Sequence, residues 1–156
     1  MQKIIKFGTV RVKRGYELGS GAFRTVYNCD YTCRGKKYVL KYADDAKSRK
    51  QNQSEYTIYK FVKGTEFQKY FPEFRKITSD GTWLLVERCE VAGDDYGEAS
   101  EECYFPHGLL HDDHNENWGF TLKGQRRVIL DMAVGASGYR SIKQTVREAL
   151  KQRKAA

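Results

Sequence analysis

At 156 residues, with 40% hydrophobic and 13% aromatic residues and a formal charge of +8, the chain has the size and composition of one globular domain and not those of a disordered segment. A domain of this length buries about two-thirds of the surface its unfolded form exposes, so it requires neither disulfides nor a metal to fold. No apolar run approaches the roughly 18 residues of a membrane span, and MQKIIKFGTV at the N-terminus lacks a signal-peptide core. A cytoplasmic location without membrane attachment is expected, with Cys29, Cys33, Cys89 and Cys103 as free thiols.

The charge is unevenly spread. Residues 87–116 hold ten acids and one arginine, a net of −9, which leaves +17 on the rest of the chain. A basic surface can attract nucleic acid or acidic partners, although a solvated, soluble face is the simpler account of it.

In chain order, residues 9–13, 22–28 and 37–43 alternate apolar and polar side chains, which predicts antiparallel strands, the last two joined through Gly35. From Ser48 to Lys63 the period changes: Ile58, Tyr59 and Val62 fall at helical spacing, and Gly64 is a stop signal. Residues 71–78 and 82–88 read as two further strands around a Ser79-Asp80-Gly81 turn. Residues 91–108 read as a polar, acidic connection with one short helix. Two short strands near 118–121 and 127–131 follow, with a turn at Lys123-Gly124, and then a basic amphipathic helix over 140–154. The expected class is α+β: five strands with one inserted helix, then a mostly irregular second half.

Glu55 stands three, four and seven residues before Ile58, Tyr59 and Val62, so it shares their buried face. A buried carboxylate needs a partner. Lys41, in phase with Val39 and Ala43 on its strand, is the natural one. Upstream lies Leu18-Gly19-Ser20-Gly21-Ala22-Phe23-Arg24-Thr25-Val26-Tyr27, a strand–turn–strand whose glycines would let backbone N–H groups approach phosphate.

The order of these segments resembles that of the protein kinases. Gly19-Ser20-Gly21-Ala22-Phe23-Arg24-Thr25-Val26 is similar to the glycine-rich loop, Val39-Leu40-Lys41 to the end of the third strand, and Glu55 to the helix glutamate that positions the lysine. Val86-Glu87-Arg88-Cys89-Glu90 resembles the hinge that meets adenine. Asp112 lies five residues before Asn117, the catalytic-loop spacing, and Asp131 ends an apolar strand where the metal-binding aspartate is expected.

The resemblance implies a kinase-like domain over 1–156, compact as in bacterial or phage proteins. It would comprise a five-stranded antiparallel N-lobe with one helix and hinge (1–90) and a minimal C-lobe (91–156). It further implies ATP- and Mg²⁺-dependent transfer of the γ-phosphoryl group to a hydroxyl of a protein, in the host cytoplasm if the chain is viral. Asp112 would be the base, with Lys41 and Glu55 beside it. Gly19, Ser20, Gly21, Val26, Val39, Lys41, Glu87 and Cys89 would hold ATP, and Asn117 and Asp131 would hold Mg²⁺.

The pattern also breaks. Arg24 takes the place of the third loop glycine, Met132-Ala133 follows Asp131, and the 25 residues after Asp131 leave no room for an activation segment or a large helical lobe. Four alternatives stay open: an inactive module that binds a host protein, a small-molecule kinase of the aminoglycoside type, zinc held by Cys103, His107, His111 and His114, and nucleic-acid binding through the tail at 140–154, which has six cations and one acid.

Overall fold

A computed structural model describes residues 2–21, 23–93, 109, 117–130 and 135–155, the last stretch with side chains from residue 142. The chain divides into two compact units, Met1–Tyr56 with Glu73–Arg88, and Thr57–Pro72 with Cys89–Ala156.

The first unit is a six-stranded antiparallel sheet in the order β1-β2-β3-β4-β6-β5. Its strands are β1 (Ile4–Phe7), β2 (Val10–Ser20), β3 (Arg24–Cys33), β4 (Lys36–Ala43), β5 (Phe74–Ile77) and β6 (Trp83–Glu87). Alternation sorts their side chains. Ile5, Phe7 and Val12 pack with Tyr38, Leu40, Trp83 and Leu85 in one buried cluster, edged by Tyr27, Cys29, Tyr31 and Tyr42. This cluster draws β1 back against β6, and the sheet curls into a nearly closed, barrel-like form. Aromatic rings dominate its interior: Tyr42 and Tyr27 lie 4.6 and 6.0 Å from Trp83, centroid to centroid.

Helix α1 (Ala46–Val62) connects β4 to β5. Asp45 caps it, its carboxylate accepting the Ser48 N–H at 2.8 Å. Burial of Ser48, Asn52, Glu55, Tyr59 and Val62 traces one stripe at three- and four-residue spacing. The stripe is polar toward the N-terminus and apolar toward the C-terminus.

In the second unit, β7 (Cys89–Val91), β8 (Trp118–Thr121) and β9 (Arg127–Ile129) form an antiparallel sheet in that order, and α2 (Gly135–Lys154) follows. A 3-10 turn at Glu66–Tyr70 is tied to this unit by Arg126, which donates to the carbonyls of Lys69 and Phe71, and by the Arg153–Glu66 pair. Ile142, Val146 and Ala149 are the buried side of α2, while Lys143 and Arg147 lie over the Phe61 ring. None of the helices in the described residues is long and apolar enough to cross a membrane.

This architecture corrects the expected kinase-like class of a five-stranded N-lobe with one helix and a reduced C-lobe. The molecule is mostly antiparallel sheet, six strands curled nearly shut and a separate sheet of three, with two α-helices among the described residues. The sixth strand is β1. Four residues inside a basic N-terminus give too short an alternation to read, yet Ile5 and Phe7 are buried once β1 pairs with Val10–Lys13. The second half is likewise less irregular than expected, because β7 pairs with a strand nearly thirty residues away. The connection expected over 91–108 lies, from residue 94 onward, outside the described residues.

Candidate functional site

The sheet face opposite the aromatic cluster carries the charges. On β4, Val39, Lys41 and Ala43 point to this side, with Val39 and Ala43 buried as their alternation predicts. Val26 lies directly across from Lys41, Gly19 across from Val26, and Leu84 across from Lys41 on its other side. A single row, Gly19–Val26–Lys41–Leu84, therefore crosses four strands. A Cβ added at Gly19 would meet no atom of the described residues within 4 Å. The row ends beside the Gly19-Ser20-Gly21 turn. That turn is closed by the Gly21 N–H donating to the Arg24 carbonyl at 2.9 Å and by a 3.3 Å bond between the hydroxyls of Ser20 and Thr25.

Helix α1 brings the carboxylate. Glu55 is fully buried, and burial of an ion at this depth is tolerated only with close partners. Arg24 grips both of its oxygens, Nη1 to Oε2 at 2.6 Å and Nη2 to Oε1 at 2.9 Å. Lys41 Nζ stands 3.4 Å from the same Oε2. Asn52, one helical turn earlier, accepts from Arg24 Nη1 at 3.0 Å, and its amide nitrogen donates to the Gly81 carbonyl at 2.9 Å and to the Lys41 carbonyl at 3.4 Å. The expected Lys41–Glu55 pair is present, but within a larger cluster that also holds Arg24 and Asn52.

No protein-family model matches the chain, and no curated protein matches it. The residues themselves therefore carry the functional argument.

The remaining candidates lie on other segments or outside the described residues. The side chain of Glu87 is occupied: it accepts the Glu73 N–H at 3.0 Å and lies 3.7 Å from Lys36. Its own N–H donates to the Glu73 carbonyl, and the Arg88 N–H to the Lys37 carbonyl, both at 2.8 Å. These hinge-segment amides are committed to the sheet. Cys89 belongs to the second unit, paired in register with Thr121. Asn117 is half-buried in that unit, its carbonyl accepting the Leu130 N–H at 2.8 Å. Asp112 and Asp131, and the proposed zinc residues Cys103, His107, His111 and His114, lie outside the described residues. Among the described residues no group of three or more histidines, cysteines and acids is placed to hold a metal.

Two site residues were not legible as such. Arg24 registers in the sequence only as a missing glycine, although its even spacing from Val26 and Asn28 places it on the charged face. Asn52 was discoverable from its position three residues before Glu55 on one helical face.

Proposed function

We propose that the chain binds ATP with Mg²⁺ and transfers the γ-phosphoryl group to a hydroxyl of a protein. The observation that carries this is the Lys41–Glu55 pair, 3.4 Å apart and shielded from solvent, on the row that runs through Val26 to Gly19. An oriented amine next to a turn containing two glycines suits phosphate oxygens, which take an ammonium charge and close backbone approach. Val26 and Val39 offer an apolar wall for a planar base. Mg²⁺, when bound, would neutralise phosphate charge. Asn117 and Asp131 are its proposed ligands, and Asp112 is the proposed base that receives the acceptor's proton. A hydroxyl-bearing protein is the proposed acceptor class, and the basic, exposed end of α2 is an attractive surface for an acidic partner.

A second reading is binding without transfer, favoured by the two-pronged grip of Arg24 on Glu55. Thermal melts with ATP and Mg²⁺ and transfer of label from γ-labelled ATP separate the two. A nucleotide at a hundredfold excess over Kd stabilises the native state by about 2.7 kcal/mol. Wild-type protein should show that shift, Lys41→Met should lose it, and Asp112→Asn should keep the shift while losing transfer. A shift without transfer identifies a binding module, and no shift at millimolar ATP removes the nucleotide assignment altogether.

A further inference from the structure

Independently of the nucleotide reading, the geometry points to the seam of the six-stranded sheet as a docking site for an extended, acidic segment of a partner protein, added as a further strand along β1. Strand order leaves β1 and β5 as the two edges. They flank a cavity of about 560 Å³, lined by Lys6, Phe7 and Gly8 on one side and by Ile77, Ser79 and Trp83 on the other. The backbone of each edge is turned outward. The Arg14 N–H donates to the Lys3 carbonyl at 2.9 Å. By antiparallel alternation Ile5 and Phe7 then bond to β2, and the N–H and C=O groups of Ile4 and Lys6 point away from it. On β5, the Thr78 N–H donates to the Trp83 carbonyl at 2.9 Å, so the same alternation turns the backbone of Ile77 away from β6. Among the described residues, the outward backbone groups of Ile4, Lys6 and Ile77 meet no hydrogen-bond partner. Unpaired edges of this kind are templates for another strand.

Charge selects the occupant. Lys6 stands directly across from Arg11, and Ile4 from Lys13. Both are pairs of the non-hydrogen-bonded kind, in which Cα atoms approach to about 4.5 Å, and like charges so placed repel. Lys6, Arg11 and Lys13 are exposed, and none has an ion-pair partner among the described residues. A carboxylate on an added strand, next in the same row, meets Lys6 and relieves that repulsion. Asp80, the acid in the cavity lining, is held by its own turn, where it accepts from the Thr82 N–H and the Thr78 hydroxyl. Pairing β1 with its own copy would instead bring lysines together, which disfavours self-association. Main-chain bonds give an added strand its affinity, and its alternate side chains give selectivity.

The test adds a soluble peptide of about seven residues, alternating Glu and Val, to the full-length protein. Solvent-exchange rates of the β1 amides are read residue by residue by NMR. The acidic peptide is expected to slow exchange at Ile4 and Lys6 roughly tenfold or more, while Ile5 and Phe7, already bonded to β2, change little. A Lys–Val peptide of the same length should leave all four unchanged. Lys6→Glu should abolish the protection at Ile4. Ile4→Pro, which removes an outward donor without taking a bond from β2, should abolish that at Lys6. If melts show the proline variant unfolded, Lys6→Glu alone carries the comparison. No protection at millimolar acidic peptide, or equal protection by both peptides, overturns the assignment. So does protection that grows with protein concentration in the absence of peptide, since a second copy then covers the edge. Binding of a thymidine oligonucleotide that is lost in Lys6→Glu, with no acidic-peptide protection of the Ile4 and Lys6 amides, overturns it in favour of nucleic acid. Gain or loss of ATP binding bears on the nucleotide site alone.

Discussion

Glu55 contacts two cations with side chains 8% and 12% exposed while being itself wholly inaccessible. Stability at such a cluster depends on keeping the set complete. Replacing one partner of a buried pair costs about 3–5 kcal/mol, because the charge left behind stays desolvated. Glu55→Ala should therefore lose a figure of that order in urea unfolding, and a loss below about 1 kcal/mol would mean that Arg24 and Lys41 reach water instead. A gentler case is Lys3, whose ammonium stands 5.1 Å from the Trp83 ring centre and 5.8 Å from that of Tyr42. Lys3→Ala is expected to cost about 0.5–1 kcal/mol, the range for an exposed cation over an aromatic face, and to alter tryptophan fluorescence. At this scale Lys41 and Glu55 were legible because a charged residue in phase with apolar neighbours is conspicuous. Arg24 was not, since its partner stands 31 positions away on a different element.

Among the elements, α1 and the β5–β6 turn approach closely at Gly81, whose carbonyl accepts from the Asn52 side-chain amide at 2.9 Å. Gly81 has a φ of +78°, and a Cβ there would lie 2.8 Å from the Arg49 carbonyl of the helix. Gly81→Ala combines a left-handed backbone with a collision that no side-chain movement relieves. A loss of about 1–3 kcal/mol is expected in thermal or urea melts. Asp80 organises the same turn: it accepts from the Thr82 N–H at 3.0 Å and from the Thr78 hydroxyl at 2.9 Å. Those bonds, the Thr82 N–H foremost, hold its pKa down to about 2 from 3.8. A depressed carboxylate stabilises the fold above its unfolded pKa and loses that contribution as pH falls through the folded value. The stability difference between wild type and Asp80→Asn should therefore be nearly full above about pH 4, decline as pH falls toward 2 and disappear only below the folded pKa of about 2, as an acid titration of unfolding would show. A difference that does not decline between about pH 4 and pH 2 would disconnect the turn from this carboxylate. The helix and the turn were both visible in the residue order, through the period of Ile58, Tyr59 and Val62 and the Ser79-Asp80-Gly81 signal. The contact between them was not.

For the whole molecule, the strand that sequence patterning missed has large consequences. Ile5 and Phe7 sit at 4% and 5% exposure in the aromatic cluster. Fully burying an apolar side chain of this size contributes about 1.5–3 kcal/mol, so deleting residues 1–8 should cost about 3–6 kcal/mol and increase binding of hydrophobic dyes. If the truncated chain melts like wild type, β1 is an ornament to the sheet and not part of its core.

Residue order by itself determined the strands of β4 and β6, the span of α1 and the burial of Lys41 and Glu55, because each follows from a local period of two or 3.6 that decides which side chains face inward. Tertiary structure decided the rest. Whether the sheet stays open or curls nearly shut depends on Ile5 and Phe7 meeting Trp83 and Leu85. Which cation holds Glu55 depends on a strand and a helix converging from distant parts of the chain. Periodicity assigns a side chain to a face, but the partner it finds there is set by packing between elements that no local pattern encodes.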